Sequence, residues 1–216
     1  MRTIYSVKTN RYRNLLGNRE FTDVNRAWSS DITYLLCPAR PYYIVLIMDV
    51  YSRRIPGYSL ADNPRAENNM AALTMALHLR GSSHYHNTLI PHSDKGSQYA
   101  ADVYTETLEA YGIRISMCEE AYENTHIERV NDTIKNQYLN RLAINPEKEL
   151  QQKVAAVVKA YNEERPHQAL GLSTPTAFEA GLEELPKEKR KKLKIFTLPH
   201  KQELNNPAQL KLVFDS

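Results

Sequence analysis

Residues 28–60 read WSSDITYLLCPARPYYIVLIMDVYSRRIPGYSL, and this stretch decides the fold. Its centre, residues 42–49, is a continuous apolar run, which is typical of a strand buried on both faces of a sheet. The segment WSSDITYLL predicts a strand before that run, with Asp31 inside it. Residues 53–60 predict a third strand, which follows a tight turn. Because these three strands are so close in sequence, we expect them to be antiparallel neighbours.

Downstream of this stretch, apolar side chains recur every three or four residues. This period predicts helices near residues 70–80, 104–111, 127–138 and 150–161. Short strands are predicted at residues 88–91 and 113–115, between the helices. The order βββαβαβαα predicts an α/β protein with a mixed sheet covered by helices on its faces. Beyond Pro166 the sequence predicts irregular chain punctuated by proline, followed by a basic tail.

Charge is unevenly distributed along the 216 residues, which carry a formal net charge of +3. Residues 1–30 have a net charge of +4, residues 187–194 (KEKRKKLK) have +5, and the remainder of the chain therefore sums to −6. Basic ends around a more acidic middle fit a polyanionic partner held by arms, although two solvated tails would have the same composition. The length suffices for one well-buried core.

Several protein classes are excluded by composition. The sequence contains no run of 18 or more apolar residues, so it predicts no membrane span. The first residues show no apolar stretch of the kind found in secretory signals. Cys37 and Cys118 are too few for a disulfide scaffold and lack the spacing of metal ligands. We therefore expect a reducing, intracellular compartment.

Three carboxylates occupy positions that chemistry could use. Asp31 lies within the first strand, Asp94 follows a strand and precedes Gly96, and Glu128 lies on a helix. Each has an ordinary alternative, as a turn or cap residue or as part of a solvated helix face. If the three converge, their oxygens would suit Mg²⁺, and paired ions could activate a water or 3′-hydroxyl against a phosphodiester.

The sequence around these acids resembles a known family. The segments WSSDITY (28–34), HSDKGSQY (92–99) and NTHIER (124–129) resemble the catalytic motifs of the DDE integrase core. That core occurs in retroviral integrases and in bacterial insertion-sequence transposases, especially the insertion sequence three family. MDVYSRRIPGYS (48–59) is similar to the second-strand motif of that family, and YNEERPHQAL (161–170) to the block after its catalytic glutamate. The resemblance covers about residues 21–180.

This resemblance implies a ribonuclease H-like fold with a mixed five-stranded sheet, in which two strands are added to three antiparallel ones. It also implies a DNA transposase catalytic domain that performs metal-dependent DNA cleavage and strand transfer. Asp31, Asp94 and Glu128 fall on the acids that hold the metal. Asp31 would bridge two Mg²⁺ ions, for which Mn²⁺ could substitute, and the other two acids would each complete one. Asp49 is expected to have a structural role in the turn that follows it.

Four basic residues are predicted to contact DNA. Lys135 is similar in place to a family lysine that touches the transposon end, although it could equally be a solvated lysine paired with an acid one turn back. Lys95, Arg129 and Arg165 are the other three. His92, beside Asp94, is either a residue that orients a ligand or a packed loop residue.

Two departures from the family pattern affect these predictions. The distance from Asp94 to Glu128 is 34 positions, slightly shorter than usual, and the loop between them carries two extra acids. If the register of the helix differs, Glu123 or Asp132 becomes the third ligand. The sequence also shows no helix-turn-helix in residues 1–25, which fits the catalytic part of a longer protein, a second reading frame with an upstream helix-turn-helix partner, or a decayed copy.

The predicted domain boundaries follow from these segments. Residues 1–25 are a basic arm, residues 26–165 the catalytic core, and residues 166–216 an extension with a basic tail. The expected partners are transposon-end and target DNA and further copies of the chain, in a prokaryotic cytoplasm close to the nucleoid. Two alternatives remain open: a catalytically silent fragment that binds DNA or oligomerises, and a structure-selective nuclease with the same fold.

Overall fold

The computed structural model describes residues 12–37, 40–141 and 147–194. The strands are β1 (Glu20–Phe21), β2 (Ala27–Leu36), β3 (Pro41–Asp49), β4 (Gly57–Ala61), β5 (Ile90–Ser93), β6 (Ser116–Met117) and β7 (Leu193–Lys194). The α-helices are α1 (Ala66–Arg80), α2 (Asp102–Ala110), α3 (Thr125–Asp132), α4 (Glu147–Glu163) and α5 (Pro175–Glu184).

The main sheet has five strands in the order β4-β3-β2-β5-β6. Strands β2, β3 and β4 are antiparallel neighbours, whereas β5 and β6 run parallel to β2. This arrangement confirms the predicted mixed sheet, with three antiparallel strands and two added. Because β2 and β5 are parallel neighbours, Asp31 and the residue that follows β5, Asp94, lie toward the same edge of the sheet.

Strand β3 is buried on both faces, as its apolar run predicts. Its side chains alternate between two cores. Ile44 and Leu46 pack in the core formed with α3 and α4, and Val45 and Ile47 pack in the core formed with α1 and α2. The sheet is therefore covered by helices on both faces, and α3 is held against the face to which Asp31 points.

Two short strands begin two and three residues later than predicted. The prediction of a strand at 113–115 is wrong because Ile113 still bonds the end of α2 and β6 begins only at Ser116. Gly112 has a φ of +62° and Ile113 N–H still donates to the carbonyl of Leu108 at 2.9 Å. At residues 88–91, Thr88 N–H donates to Tyr85 in a turn, which delays β5 until Ile90.

The prediction of irregular chain after Pro166 is also wrong, because α5 lies there. Thr174 caps this helix by accepting a hydrogen bond from Ala177 N–H at 3.2 Å, and Pro175 occupies its first position, where proline is favoured. The helix buries few apolar residues, so its periodicity is weak. Its main tether is Glu179, which receives two 2.8 Å contacts from Arg80 and one of 2.7 Å from Arg54.

The predicted helix at 127–138 changes geometry part-way. It is α-helical to Asp132 and continues as a π-helix over Thr133–Tyr138. A π-helix has more residues per turn, so the spacing that was predicted to align Glu128, Asp132 and Lys135 applies only as far as Asp132. The Lys135 ammonium lies 4.1 Å from the centre of the Tyr34 ring.

Part of the basic tail packs against the folded core. Strand β7 pairs antiparallel with β1, and the Arg190 guanidinium bonds Asp23 and the carbonyl of Leu182. The charges of Arg190 and Asp23 are therefore paired within the fold rather than solvated. Within the described ranges, no helix is long and apolar enough to cross a bilayer.

Candidate active site

Asp31 is the most enclosed of the three predicted metal ligands. Its pKa is raised to about 7, mainly by burial and next by the negative charge of Asp94, with a smaller contribution from Glu128. The amide of Asn131 donates to the Asp31 carboxylate at 2.8 Å and partly offsets this rise. Asp94 and Glu128 therefore both lie within electrostatic range of Asp31.

Asp94 is exposed at the carboxyl end of β5. Its Oδ1 accepts a hydrogen bond from Gly96 N–H at 3.0 Å, which fixes the carboxylate over its own turn. A Cβ at residue 96 would lie 2.9 Å from this oxygen and 2.8 Å from Gln98 Oε1. Glycine at 96 therefore leaves room for the Asp94 carboxylate in this turn.

The buried Tyr99 provides a second indication that the two aspartates are close. Its hydroxyl is 3.0 Å from Ser30 Oγ, beside Asp31 in β2. Burial raises its pKa well above the ordinary value, and the charges of Asp31 and Asp94 raise it further. Tyr99 therefore lies within electrostatic range of both aspartates and connects the Asp94 loop to β2.

Glu128 lies in the exposed first turn of α3, where the helix dipole favours a carboxylate. Asn124 immediately precedes this helix and fixes its start to β2. Its Oδ1 accepts from Ser29 Oγ at 2.7 Å, and its Nδ2 donates to the carbonyl of Ser30 at 3.3 Å. The start of α3 is thus joined to the two residues before Asp31.

The two alternative third ligands, Glu123 and Asp132, accept hydrogen bonds from other groups. Glu123 is buried, and its Oε2 accepts backbone N–H groups from Glu119 at 2.6 Å and Glu120 at 3.3 Å. Asp132 is exposed and accepts a hydrogen bond from Asn136 at 2.6 Å. Of these candidates, only Glu128 affects the pKa of Asp31.

The three carboxylates suit a hard divalent cation. Oxygen ligands are those that Mg²⁺ prefers, and a cation would relieve the repulsion that raises the pKa of Asp31. Across the described ranges, the donor atoms that gather within 4.8 Å of one another belong to a different group, His92, Cys118 and Glu123. The ligand atoms of Asp31, Asp94 and Glu128 are therefore spaced more widely than those of that group.

His92 is a packed residue rather than one that faces the triad. Its Nδ1 lies 2.8 Å from Ser116 Oγ and its Nε2 3.1 Å from Cys118 Sγ, so both ring nitrogens have partners. Burial lowers its pKa to about 4, and the imidazole is neutral at pH 7. Of its two sequence interpretations, the structure supports the packed loop residue.

The four predicted DNA contacts lie on separate elements, and two of them directly follow acids of the triad. Lys95 and Arg129 directly follow Asp94 and Glu128, and Arg129 is exposed beside a shallow depression of about 460 Å³ on α3. Lys135 lies against Tyr34, and Arg165 follows α4. Lys135 thus contacts an aromatic ring, whereas the predicted alternative paired it with an acid one turn back.

Two asparagines with clear roles were not predicted from sequence. Asn131 bonds Asp31, and Asn124 joins α3 to β2. Asn131 lies three positions after Glu128 on the same helix, so its proximity to the triad could have been inferred once Glu128 was accepted. Asn124 is a preferred residue type immediately before a helix.

Comparison with known proteins agrees with this geometry. Two models of the integrase core domain match residues 22–122 and 111–175. The transposase for insertion sequence element IS904 of Lactococcus lactis is 30% identical over 161 residues, which are 73% of this chain and 62% of that protein. The chain belongs to the integrase core family. The resemblance to insertion-sequence transposases is thereby confirmed.

Other integrase cores show how far the similarity extends. An insertion element IS600 protein of Shigella sonnei is 33% identical over 160 residues, 73% of this chain and 58% of that protein. The chain thus spans about three fifths of the length of these curated relatives. The HTLV-2 integrase catalytic core in complex with magnesium aligns with a TM-score of 0.58 at 20% identity, over 77% of this chain and 99% of that one.

A larger assembly gives a closer structural match. A chain of the simian T-cell lymphotropic virus intasome aligns with a TM-score of 0.67 at 15% identity, over 89% of this chain and 67% of that one. At these identities the likeness shows the fold, and it confirms the predicted ribonuclease H-like integrase core.

Proposed function

We propose that this chain is the catalytic part of an insertion-sequence transposase, which cuts and joins DNA strands. The observation that carries the proposal is the raised pKa of Asp31, which burial, Asp94 and Glu128 cause together. Acids placed by two neighbouring strands and a packed helix repel one another, and such repulsion is maintained at sites that use it. The similarity to curated transposases supports the same activity.

Asp31, Asp94 and Glu128 are the proposed metal ligands. Two Mg²⁺ ions, or Mn²⁺ in their place, would supply Lewis-acid stabilisation of the phosphodiester and of the attacking oxygen. Both of the other acids raise the pKa of Asp31, so Asp31 is the proposed shared ligand. Asn131 holds the Asp31 carboxylate in orientation, and Asn124 holds the helix that carries Glu128.

The proposed substrates are transposon-end and target DNA. Lys95, Lys135, Arg129 and Arg165 are the proposed contacts to the phosphate backbone, which position DNA without reading its sequence. Joining two ends requires more than one active site, so we propose that several copies act together on DNA. We further propose that a helix-turn-helix protein or segment recognises the ends, in a bacterial cytoplasm, with residues 26–165 as the catalytic core.

Cleavage of labelled transposon-end DNA tests this function. The chain is incubated with Mg²⁺ or Mn²⁺, and wild type is compared with Asp94→Asn, Glu128→Gln and the rival variant Glu123→Gln. We expect nicking in wild type, loss of at least 100-fold in Asp94→Asn and Glu128→Gln, and retained nicking in folded Glu123→Gln.

Other outcomes would contradict the proposal. Metal-independent DNA binding without nicking, together with no difference between wild type and Asp94→Asn, would identify a silent binding fragment. Preference for branched over transposon-end DNA would identify a structure-selective nuclease. Thermal unfolding of each variant shows whether loss of activity reflects loss of the fold.

A further inference from the structure

Three arginines from separate elements lie within electrostatic range of one another or of common neighbours, and one of them adjoins Glu128. Arg53 lies in the turn between β3 and β4, Arg129 follows Glu128 on α3, and Arg165 follows α4. Arg53 is within electrostatic range of Arg129, and both Arg53 and Arg165 are within range of Tyr161. We call these three residues the arginine cluster.

The cluster is held in place by contacts that do not use its charges. The side-chain amide of Asn162, on α4, both accepts from Ile55 N–H and donates to the Ile55 carbonyl, each at 2.9 Å. This pair of bonds fastens the end of α4 to the turn that carries Arg53. The Tyr161 and His167 rings pack edge to face at 4.9 Å, which places His167 in the same corner.

Within the described residues, no carboxylate forms an ion pair with the cluster. Among residues 12–37, 40–141 and 147–194, none of the three arginines forms an ion pair or a side-chain hydrogen bond. Burial lowers the pKa of Arg53, Tyr161 and Asp49 act in the opposite direction, and the positive charge of Arg129 adds a smaller lowering effect. A guanidinium in such a position is costly unless an anion joins it.

The surroundings of His167 also indicate a site for an anion. Its Nε2 is buried and has no hydrogen-bond partner within the part of the chain that the structure describes. Burial, Arg165 and Arg53 all lower its pKa, so it is surrounded by positive charge. An orphaned ring nitrogen beside unpaired guanidiniums suits a ligand that is both negatively charged and rich in acceptor oxygens.

We propose that the arginine cluster, with His167, binds a backbone phosphate of the DNA outside the three metal-binding acids. Arg129 adjoins Glu128, so the same duplex can reach both sites. The planar guanidinium fork matches phosphate oxygens, and His167 Nε2–H can donate a further bond in the appropriate tautomer. This inference rests on the proposed function in that it takes DNA as the substrate, and it adds Arg53 and His167 to the contacts.

Duplex binding without metal tests the inference independently of catalysis. The full chain is titrated with a transposon-end duplex in EDTA at several salt concentrations, and wild type is compared with Arg53→Gln. A lost phosphate contact is expected to reduce the slope of log K against log salt by about 1 and to weaken binding about fivefold to tenfold at moderate salt. Arg53→Lys is expected to restore most of the slope but little of the lost affinity.

Arg114→Gln is the matched control. Arg114 precedes β6, at the opposite edge of the sheet from β4, and forms no ion pair among the described residues. The Arg114→Gln substitution removes the same charge from the protein and leaves the arginine cluster unchanged. If Arg53→Gln and Arg114→Gln change the slope equally, the inference is overturned.

Histidine NMR with inorganic phosphate supplies a second measurement. The His167 ring signal is expected to shift with phosphate in wild type and not in folded Arg53→Gln. An unmoved His167 signal in wild type would overturn its place in the site. If wild type fails to cleave DNA but shows the salt-slope effect and the His167 shift, the transposase proposal fails and the phosphate site stands. If wild type cleaves DNA but shows neither effect, only the phosphate site fails.

Discussion

The side-chain amide of Asn131 donates to the carboxylate of Asp31 at 2.8 Å, across 100 positions of sequence. This bond joins the helix that carries Glu128 to the strand that carries Asp31. It favours the ionised form of Asp31 against burial and the neighbouring acids, which raise its pKa. The bond therefore both orients the carboxylate and keeps it available for a cation.

Removing that amide should raise the pKa of Asp31 above its present value of about 7. In Asn131→Ala we expect weaker Mg²⁺ binding near pH 7, by about threefold to tenfold, because a larger fraction of Asp31 is protonated. Carboxyl NMR and calorimetry measure the two effects. Asn136→Ala, which removes an exposed amide from the same helical segment, is the control and should change neither quantity.

Metal affinity should depend on pH through Asp31. Only the ionised carboxylate binds a cation, so affinity is expected to rise steeply up to about pH 7 and to level off above it. Calorimetric titrations with Mg²⁺ between pH 5.5 and pH 8.5 measure this profile. An affinity that is flat across that range would show that Asp31 is not a ligand.

The metal-free fold should become less stable as pH rises toward 7. Asp31 has a higher pKa in the folded chain than its ordinary 3.8, so the native state binds more protons between these values and the contribution of Asp31 falls with pH. Asp31→Asn should remove this dependence and stabilise the metal-free chain by about 1–2 kcal/mol at pH 7.5. Urea unfolding at pH 5 and pH 7.5 tests the sign, and destabilisation by Asp31→Asn at pH 7.5 would contradict it.

Glu179 should matter for stability rather than for chemistry. It pairs with Arg80, whose side chain is only 7% exposed, and with Arg54 and Ser52. Glu179→Ala leaves these groups poorly compensated, and we expect a loss of about 2–4 kcal/mol in the free energy of unfolding. Glu183→Ala, on the exposed part of the same helix, should cost much less; equal losses would mean that the network does not stabilise α5.

Lys135 should contact DNA from its position on the Tyr34 ring. Lys135→Ala is expected to weaken transposon-end binding and to reduce the salt slope by about 1, with metal affinity unchanged. Tyr34→Leu removes the ring and keeps the charge, so it should weaken binding without altering the slope. A wild-type slope in Lys135→Ala would remove this lysine from the DNA contacts.

Local sequence patterns predict much of the fold and the elements on which the triad acids lie. The apolar run of β3 and the period of α1 and α2 are properties of short segments, and Asp94 before Gly96 marks a strand end. The helix α5 escaped prediction because it is held by Glu179 more than by an apolar stripe. The π-helix after Asp132 likewise has no periodic mark in the sequence.

The finer parts of the site depend on contacts between distant segments. Asn131 meets Asp31, and Asn124 meets Ser29, only after α3 packs on β2. Arg53 and Arg165 both come within electrostatic range of Tyr161 in the fold, where Asn162 on α4 bonds Ile55. Each of these side chains is of a type common on surfaces, so nothing local distinguishes them from solvated residues.

The pairing of β1 with β7 makes a circular permutant of this protein feasible. Glu20 and Lys194 lie opposite each other as ladder partners, so a linker of a few residues could join them. New ends could then open at the exposed Ser83, beyond α1, without interrupting a strand or helix. Such a rearranged chain would carry the acids in the order Asp94, Glu128, Asp31 and would lack the buried Leu16, which lies before the junction.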